Sequence, residues 1–576
     1  MEKIKTEGLL RKLLPAFVFF AAAALFLFWR ARYGYCYQDE PFLASLAARI
    51  LRGDTLLIDE WNGAQNTGVL LLPVYALMHR LLGGTEGILL AMRWAYCAFW
   101  LAALVFLWIK LAPCGAVRYA AVIYMLLFSP LDYMTLSYTS ISLMCVTAIA
   151  AITYADVFEM KGSPVKTGLT LGLLMTVSVL CYPHMALFFV LYVLLLLAAA
   201  LWHRRRARSP QYILKLLCAM LAAVMFFAAV YALFILLGRD GRPLFENIAE
   251  IFRDPQHHPK SAVDALLQIC YFIGIQGVGW IYPVGMLLLT GAALLPFRRK
   301  NAVHPFLLAA GVLLYIYSLI PVFISPRLQL NEQMRNIAFL GLLAYALMDK
   351  KPCRLFYAFY GASAVYTYAA FMGTNTAIMA ISMGMSVAGA AAVVIILLLC
   401  RELAQKGSES GGGYAKSAAA ALAALAALAV LVQLAAEVRV RFDYTYYDDT
   451  LSALTEIIDR GPAQGIRTCA ENKAEYDGAL DAFDRLMDGR ERRGKTLLSV
   501  SEIVSLYADM ELDTYSAWLR GTSTAQMWER QEKYFALNGK NTPDYIFFDE
   551  YTPYDIALDG YEVFEHRKYT LLVKSE

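Results

Sequence analysis

Long apolar runs separated by short polar loops make up this chain as far as residue 437. A helix needs about 20 predominantly apolar residues to cross the hydrocarbon of a bilayer, and the hydropathy rule indicates about 13 such helices here. The predicted spans are residues 13–29, 87–109, 116–128, 140–158, 167–181, 185–202, 212–237, one within 266–297, 306–324, 331–348, 355–371, 377–400 and 417–436. The pattern therefore predicts a polytopic α-helical membrane protein.

The basic residues of the short loops predict how these helices are oriented. Loops rich in Lys and Arg stay on the cytoplasmic side of a membrane. If Met1 is cytoplasmic, every loop that follows an even-numbered span is cytoplasmic as well, and each of these loops carries Lys or Arg. The short loops on the other side, for instance residues 182–184, contain neither residue. We therefore expect a multi-pass plasma-membrane protein with a cytoplasmic N-terminus and an extracytoplasmic C-terminus.

Two further apolar segments lie in the long outer loop after the first span. Counting residues 69–82 as a span would move the basic run at residues 204–208 to the outside, so a juxtamembrane helix is predicted there. Residues 41–51 also have helical periodicity, with Arg49 and Arg52 off the apolar stripe and Gly53 as the stop signal. We expect this second helix to lie in the membrane interface. Its apolar stripe consists of Phe42, Leu43, Leu46, Ala47, Ile50 and Leu51.

The composition becomes that of a soluble protein after Glu437. Helical patterns at residues 451–459, 476–487 and 501–507 alternate with strand-like runs at 496–500, 545–548 and 569–573. The chain is therefore divided into a membrane domain, residues 1–437, and a small extracytoplasmic α/β domain, residues 438–576.

Bulk composition agrees with a membrane protein and excludes one class of partner. Hydrophobic residues make up 59% of the chain and the mean hydropathy is +0.50, which is more apolar than a soluble domain. The formal net charge is only +4, and the basic residues are spread over many loops instead of forming a stripe. Nucleic-acid binding is therefore not expected.

An acidic pair, Asp39 and Glu40, lies immediately after the first span, at the predicted outer mouth of the protein. One interpretation is structural: Asp39 is the N-cap of the helix at residues 41–51, with Pro41 in the first turn and Glu40 favoured by the helix dipole. The other is chemical, because a carboxylate within reach of an acceptor hydroxyl can act as a general base.

The whole arrangement resembles the GT-C superfamily of membrane glycosyltransferases, and most closely the branch of the protein O-mannosyltransferases and the lipid A aminoarabinose transferase. Relatives carry an acidic pair after the first span, a helix ending in glycine, a proline-containing helix, and a G-x-x-E-x-x-x-R-like run opening the second span. Residues 61–66 and the single Pro73 depart from that pattern. The matching places here hold Asp39-Glu40, Gly53-Asp54, Leu72-Pro73, Gly83-Gly84-Thr85-Glu86 with Arg93, and Asp132 in the next outer loop.

The resemblance implies transfer of a sugar from a polyprenyl-phosphate carrier to an extracytoplasmic acceptor. The expected partners are the polyprenyl-phosphate sugar and the lipids of the membrane. Asp39 is predicted to be the base, Glu40 its substitute and Asp132 a further acid at the site. Direct displacement with one base inverts the anomeric centre. A divalent cation shared by Asp39, Glu40 and Asp132 is left open, since oxygen ligands suit such ions. No other cofactor is predicted.

Cationic side chains are needed near the departing phosphate. Arg335 opens an otherwise apolar span, where ionisable groups are costly and often functional. Alternatives remain for two of the candidates: Arg93 pairs with Asp39 or Asp132, and the loop around Arg242 contacts lipid headgroups. The candidates are Arg93, Arg242, His257, His258, Lys260, Arg327 and Arg335.

Two other classes of function compete with the enzyme. In a glycolipid transporter or flippase, Asp39, Arg93 and Arg335 would line a hydrophilic path, whereas a non-catalytic envelope scaffold would need no groove at all. An enzyme brings Asp39 and Asp132 into one cavity, while a carrier places polar groups near the middle of the membrane. The predicted spans carry almost no charge, which favours the enzyme.

Overall fold

The computed structural model describes residues 2–128, 134–202, 209–253, 261–274, 285, 288–289, 303–324, 326–373, 378–409, 413–508, 511–516, 524–550 and 560–575. Most of these residues are helical. The helices before the C-terminal domain are α1 (Glu2–Arg30), α2 (Asp39–Arg52), α3 (Asn66–Leu82), α4 (Ile88–Lys110), α5 (Arg118–Leu127), α6 (Tyr138–Ile152), α7 (Pro164–Cys181), α8 (Met185–Trp202), α9 (Ser209–Gly238), α10 (Leu244–Phe252), α11 (Ala262–Gly274), α12 (Val303–Ile324), α13 (Pro326–Leu347), α14 (Cys353–Gly373), α15 (Ile378–Glu409) and α16 (Gly413–Asp443).

Six of the described helices, namely α4, α6, α7, α9, α15 and α16, are long and apolar enough to cross a membrane. Shorter apolar stretches within α1, α5, α8, α11, α12 and α13 coincide with other predicted spans. The predicted span at residues 355–371 is helical in α14 but belongs to neither group. The chain is thus a multi-pass helical membrane protein, and the expected number of spans is not confirmed.

Two glycines let α7 and α9 pack closely. A Cβ atom on Gly168 would lie 2.3 Å from the carbonyl oxygen of Leu216, and one on Gly172 would lie 2.5 Å from that of Met220. Small residues one turn apart allow two helix backbones to approach each other in this way inside a membrane. No larger residue fits at either position without moving α9.

The helix after the acidic pair ends where the sequence predicts but begins differently. Gly53 adopts the left-handed conformation with φ of 116°, and its N–H caps the carbonyls of Arg49 and Ile50. At the other end, α2 already includes Asp39, and the preceding Gln38 has helical dihedral angles and makes no side-chain cap. The N-cap interpretation of Asp39 is therefore wrong. The carboxylate lies in the first turn, where the helix dipole still favours negative charge.

The face of α2 that was expected to meet water or headgroups is covered by protein. Every residue from Glu40 to Arg49 is buried. One face packs on α3, where Gly68 lies against Leu46 and Ile50. The other faces the C-terminal domain, and the Ser45 hydroxyl donates to the Glu502 carboxylate over 3.2 Å. The apolar stripe predicted from the sequence is real, but this helix is enclosed between two domains.

The C-terminal domain contains α17 (Ala470–Leu486), α18 (Glu502–Ala508) and α19 (Thr524–Asn538) around a five-stranded sheet of order β4-β3-β5-β7-β6. β3 is parallel to β4 and β5, whereas β7 is antiparallel to β5 and β6. The strands predicted at 496–500, 545–548 and 569–573 are confirmed. The strands of the sheet are β3 (Thr496–Ser499), β4 (Asp513–Tyr515), β5 (Tyr545–Asp549), β6 (Tyr561–His566) and β7 (Tyr569–Lys574).

The helix predicted at residues 451–459 is wrong. A single 3-10 turn (Leu451–Ala453) is followed by β1 (Glu456–Ile457), which pairs antiparallel with β2 (Arg467–Thr468). Gly461 and Gly465, both at positive φ, turn the chain between these strands. The Ile458 N–H then donates to the Ile466 carbonyl over 2.9 Å. Glycine turns and strand pairing override the helical periodicity of this segment.

Candidate functional site

Glu40 and Arg93 form a buried ion pair at the junction of α1, α2 and α4. Arg93 Nε donates to Glu40 Oε1 over 2.8 Å, and Nη2 contacts the other carboxylate oxygen. The guanidinium also donates to the carbonyls of Ala31 and Gly34, over 3.0 and 2.6 Å. Both residues are only 2% exposed. Arg93 thus pairs with Glu40 and, among the described residues, not with Asp39, and both Glu40 oxygens are occupied.

Asp39, the neighbour of Glu40, has different surroundings. Its side chain is only partly buried, and the Tyr446 side chain is close enough to influence the pKa of its carboxyl group. Burial raises the pKa of Asp39 above its ordinary value, the Tyr446 side chain opposes this, and the charge of Glu40 adds to it. Asp39 is therefore an acid of raised pKa with access to solvent.

Residues 444–449, which we call the tyrosine segment, connect α16 to the C-terminal domain and lie along the chain before Asp39. The Tyr35 N–H donates to the Asp448 carboxylate over 2.7 Å. The rings of Tyr37 and Tyr447 lie 5.0 Å apart. The same segment borders a cavity of about 460 Å³, which is within the size range of small-molecule sites. Its lining consists of Tyr444, Thr445, Tyr447, Asp448, Asp449, Cys469, Glu471 and Asn472.

A second polar cluster surrounds Asp59 in the loop between α2 and α3. The Asp59 carboxylate accepts from the Thr55 N–H, from Arg242 and from Lys540, each over 2.7 Å. Burial works against the charged form, but Lys540 and these hydrogen bonds outweigh it and hold the pKa of Asp59 below its ordinary value. Arg242, a candidate for the donor phosphate, is thus bound to a carboxylate of its own protein.

Arg49 of α2 neutralises the other acids of this cluster. It contacts Asp54 over 2.6 Å and Glu60 over 2.9 Å. Burial raises the pKa of Asp54 above its ordinary value, and the charge of Arg49 opposes this. Between these side chains is a cavity of about 10 Å³, roughly enough for one water molecule. The acids and bases of this cluster are paired with one another, which is typical of a cluster that stabilises the fold.

The loop of this cluster also enters the C-terminal domain. Trp61 is 0% exposed and packs in a core with Leu498, Tyr534 and Ile546. Its indole N–H donates to the Asn247 side chain over 2.8 Å. The segment at residues 61–66, where the chain departs from the GT-C pattern, therefore anchors one domain in the other.

Helix α10, in the loop after α9, has one face on the C-terminal domain. Asn247 exchanges hydrogen bonds with Asn538, and the Glu250 carboxylate contacts Lys533 over 2.8 Å. Burial opposes ionisation, but Lys533 holds the pKa of Glu250 below its ordinary value. Phe245 and Phe252, on the other face, are 79% and 72% exposed.

Several predicted site residues lie outside the described part of the chain. These are Asp132, His257, His258 and Lys260. For Arg327 and Arg335, the structure describes only the backbone, which is helical in α13. Among the described residues, no group of three or more His, Cys, Asp or Glu side chains is placed to hold a metal ion. Metal binding by Asp39 with Asp132 therefore stays a prediction.

Three residues were not identified as candidates from the sequence: Glu437, Tyr446 and Lys540. Glu437 lies inside α16, is buried, and accepts from Gln433 over 2.6 Å; an acid ending an apolar run is a signal that could have identified it. Tyr446 belongs to an aromatic cluster next to a predicted span, a pattern that indicates an interfacial anchor as readily as a site residue. Lys540 follows no pattern that would have indicated its contact with Asp59.

No protein-family model matches this chain, and no curated protein matches it. Among solved structures, it is similar to ArnT from Cupriavidus metallidurans bound to undecaprenyl phosphate, with 12% identity over 97% of this chain and 98% of that one, and a TM-score of 0.46. It is also similar to the oligosaccharyltransferase AglB from Archaeoglobus fulgidus in complex with an inhibitory peptide and a dolichol-phosphate, with 13% identity over 98% of this chain and 75% of that one, and a TM-score of 0.39. The case for the function rests on the residues of this chain.

Proposed function

We propose that this protein is a membrane glycosyltransferase that transfers a sugar from a polyprenyl-phosphate carrier to a hydroxyl acceptor, with Asp39 as the general base. The observation that carries the proposal is the contrast within the acidic pair. Glu40 is buried against Arg93, whereas Asp39 is partly exposed and has a raised pKa. A base works best when its pKa approaches the working pH, which favours Asp39.

The chemistry requires one displacement. The acceptor oxygen attacks the anomeric carbon, its proton passes to the Asp39 carboxylate, and the bond between the anomeric carbon and the phosphate oxygen breaks. The electron pair leaves with the polyprenyl phosphate. A single displacement of this kind inverts the anomeric centre. The acceptor is proposed to approach from the tyrosine segment, where the cavity of about 460 Å³ offers room for it.

The departing phosphate needs a cation that is not already neutralised. Arg93 and Arg242 are paired with Glu40 and Asp59, and of the other cationic candidates we assign this role to Arg335. It belongs to α13 and directly precedes the apolar stretch Asn336–Leu347 of that helix. His257, His258, Lys260 and Arg327 remain additional candidates, and the site and the C-terminal domain are proposed to face away from the cytoplasm.

The Asp39→Asn variant tests the base directly. The amide keeps the shape of the side chain, but it cannot take up a proton. Transfer should fall by about a hundredfold or more. The assay supplies polyprenyl-phosphate monosaccharides with a radiolabelled sugar and an envelope extract as acceptor, and separates labelled donor from labelled product by chromatography.

Two controls accompany this variant. Asp481→Asn removes an exposed carboxylate of the C-terminal domain that pairs with Arg460, and its turnover should be that of the unmodified protein. Binding of polyprenyl phosphate, followed as a shift in thermal midpoint, should be retained by Asp39→Asn. Full turnover of Asp39→Asn would refute the assignment of the base.

A further inference from the structure

Helix α10 carries an exposed apolar stripe on the side opposite to the C-terminal domain. Phe245, Ala249 and Phe252 recur at helical spacing and are all exposed. The two rings are 79% and 72% exposed. Glu246 and Arg253 border the stripe on one edge and are exposed as well. A helix of nine residues divided in this way into an apolar and a charged strip is typical of a membrane interface.

The opposite face of α10 is bound to the C-terminal domain. The Asn247 side chain is buried and exchanges hydrogen bonds with Asn538, over 2.9 and 3.0 Å. The Glu250 carboxylate lies 2.8 Å from Lys533, and its carbonyl accepts from Arg530 over 3.3 Å. These contacts fix the rotation of α10 about its own axis. The phenylalanine stripe therefore points away from the domain and stays exposed.

The position of α10 in the chain places the stripe near the membrane surface. α9 is long and apolar enough to cross a membrane, and Leu236 and Leu237 at its end are 53% and 73% exposed, as expected of side chains that face lipid. Residues 239–243 connect this end to α10, and a connection of that length spans at most about 20 Å. The Arg242 N–H donates to the Arg239 carbonyl over 2.8 Å, so the connection is a turn. The stripe thus continues the lipid-facing surface of α9.

The next helix along the chain also belongs to the membrane domain. α11 packs on α14, and the rings of Phe272 and Phe371 lie 5.9 Å apart. On its other face, Val263, Leu266 and Leu267 are exposed apolar residues. α10 is therefore preceded and followed by helices whose exposed side chains are apolar, as in a surface covered by lipid.

The size of the stripe favours lipid over a second copy of the protein. An aromatic side chain can bury about 150–250 Å², so the two exposed rings together offer about 300 Å². A specific protein–protein interface covers about 800 Å² on each partner. A bilayer needs no matching surface, because each ring that leaves water contributes separately. Arg253, with a side chain 68% exposed at the edge of the stripe, can reach the phosphate groups of lipids.

We propose that α10 is a membrane anchor for the C-terminal domain. Phe245 and Phe252 insert between phospholipid chains at the surface of the bilayer, while Asn247 and Glu250 hold the domain on the other face of the same helix. The partner is the phospholipid of the bilayer itself. The anchor fixes the distance of the C-terminal domain from the membrane, and it does not depend on the assignment of Asp39 as the base.

Photocrosslinking in liposomes tests the contact with lipid. The photoreactive residue p-benzoylphenylalanine replaces Phe245 or Phe252 in the full-length protein. The control position is Val563 on β6, an apolar residue of the C-terminal domain that is 46% exposed. Each variant is reconstituted into tritiated phosphatidylcholine without polyprenyl phosphate and irradiated. Gel electrophoresis then separates labelled monomer, which reports lipid, from a band of twice the mass, which reports a second copy.

We expect lipid labelling at positions 245 and 252 to exceed that at position 563 about tenfold or more, because burial of an aromatic ring favours the inserted state by such a ratio. All three positions are exposed, so the thermal midpoints should equal that of the unmodified protein. Labelling at 245 and 252 no higher than at 563 would overturn the anchor. A dimeric adduct in place of the lipid adduct would overturn it as well and would assign the stripe to contact between two copies.

Discussion

The Glu40–Arg93 pair should behave as a buried ion pair whose members cannot be removed singly. Replacing Glu40 by Leu leaves the Arg93 guanidinium buried, since Arg93 is 2% exposed, and its remaining acceptors among the described residues are the neutral carbonyls of Ala31, Tyr33 and Gly34. Removing one partner of a buried pair typically costs about 3–5 kcal/mol, because the remaining charge is left uncompensated. We expect Glu40→Leu and Arg93→Met each to cost this much.

The double variant separates this effect from a simple loss of packing. Without either charge, the main remaining loss is that of the hydrogen bonds from Arg93 to the three carbonyls, each worth about 1 kcal/mol. The double variant should therefore cost about 3 kcal/mol, well below the sum of the single variants. The single variants sum to about 6–10 kcal/mol, so the expected coupling is about 3–7 kcal/mol, at or above the upper end for residues in contact.

Unfolding by sodium dodecyl sulfate in mixed micelles, followed by circular dichroism, measures these differences. The matched control is the exposed pair of Arg460 and Asp481, whose side chains are 35% and 60% exposed. Such pairs are worth about 0–1 kcal/mol, so Asp481→Leu should leave the unfolding midpoint almost unchanged. If the effects of Glu40→Leu and Arg93→Met add in the double variant, the two residues are not coupled and the structural role given to Glu40 is wrong. If they are coupled, loss of activity in a Glu40 variant does not identify Glu40 as the base.

Two further predictions concern Asp59, which pairs with Arg242 and Lys540, and Arg335, which is assigned to the donor phosphate. Asp59 has a depressed pKa, so its charged form stabilises the fold above about pH 4, and this stabilisation is lost as the pH falls through the folded-state pKa. The thermal midpoint of Asp59→Asn should therefore lie below that of the unmodified protein at pH 7. The two midpoints should approach each other in acid. Arg335→Gln should weaken polyprenyl-phosphate binding by about 1.5–3 kcal/mol, and unchanged binding in a thermal-shift titration would remove Arg335 from the donor site.

The membrane helices and the end of α2 could be predicted because their causes are local. A long apolar run needs no partner to be recognised, and Gly53 ends its helix through its own left-handed conformation. The burial of α2 has a distant cause. Glu502, which contacts Ser45, is far away in sequence. Periodicity describes what a helix can bury and does not indicate what will cover its other face.

The same limit applies to the charged residues. Arg93 was recognised as an ionisable group near the start of a span, which is a local signal, but its partner depends on how α1, α2 and α4 meet. The helix predicted at residues 451–459 failed for a related reason, because Ile458 pairs with Ile466 across a turn. The fold determines which of the charged residues are already engaged with one another, as in the pairs of Arg93 with Glu40 and of Arg242 with Asp59.

The acidic pair shows why adjacency in sequence gives little information about role. Asp39 and Glu40 are consecutive residues in the first turn of one helix, so the helix dipole and the distance from α1 are nearly the same for both. Their side chains nevertheless have different neighbours: Glu40 contacts a guanidinium fixed by three backbone carbonyls, and Asp39 lies near a tyrosine. A carboxylate bound to a buried cation is poorly suited to take up a proton, whereas one that is partly desolvated and has a raised pKa can do so. The surroundings of the two carboxylates therefore differ because Arg93 lies on α4, whereas Tyr446 lies on the segment that follows α16.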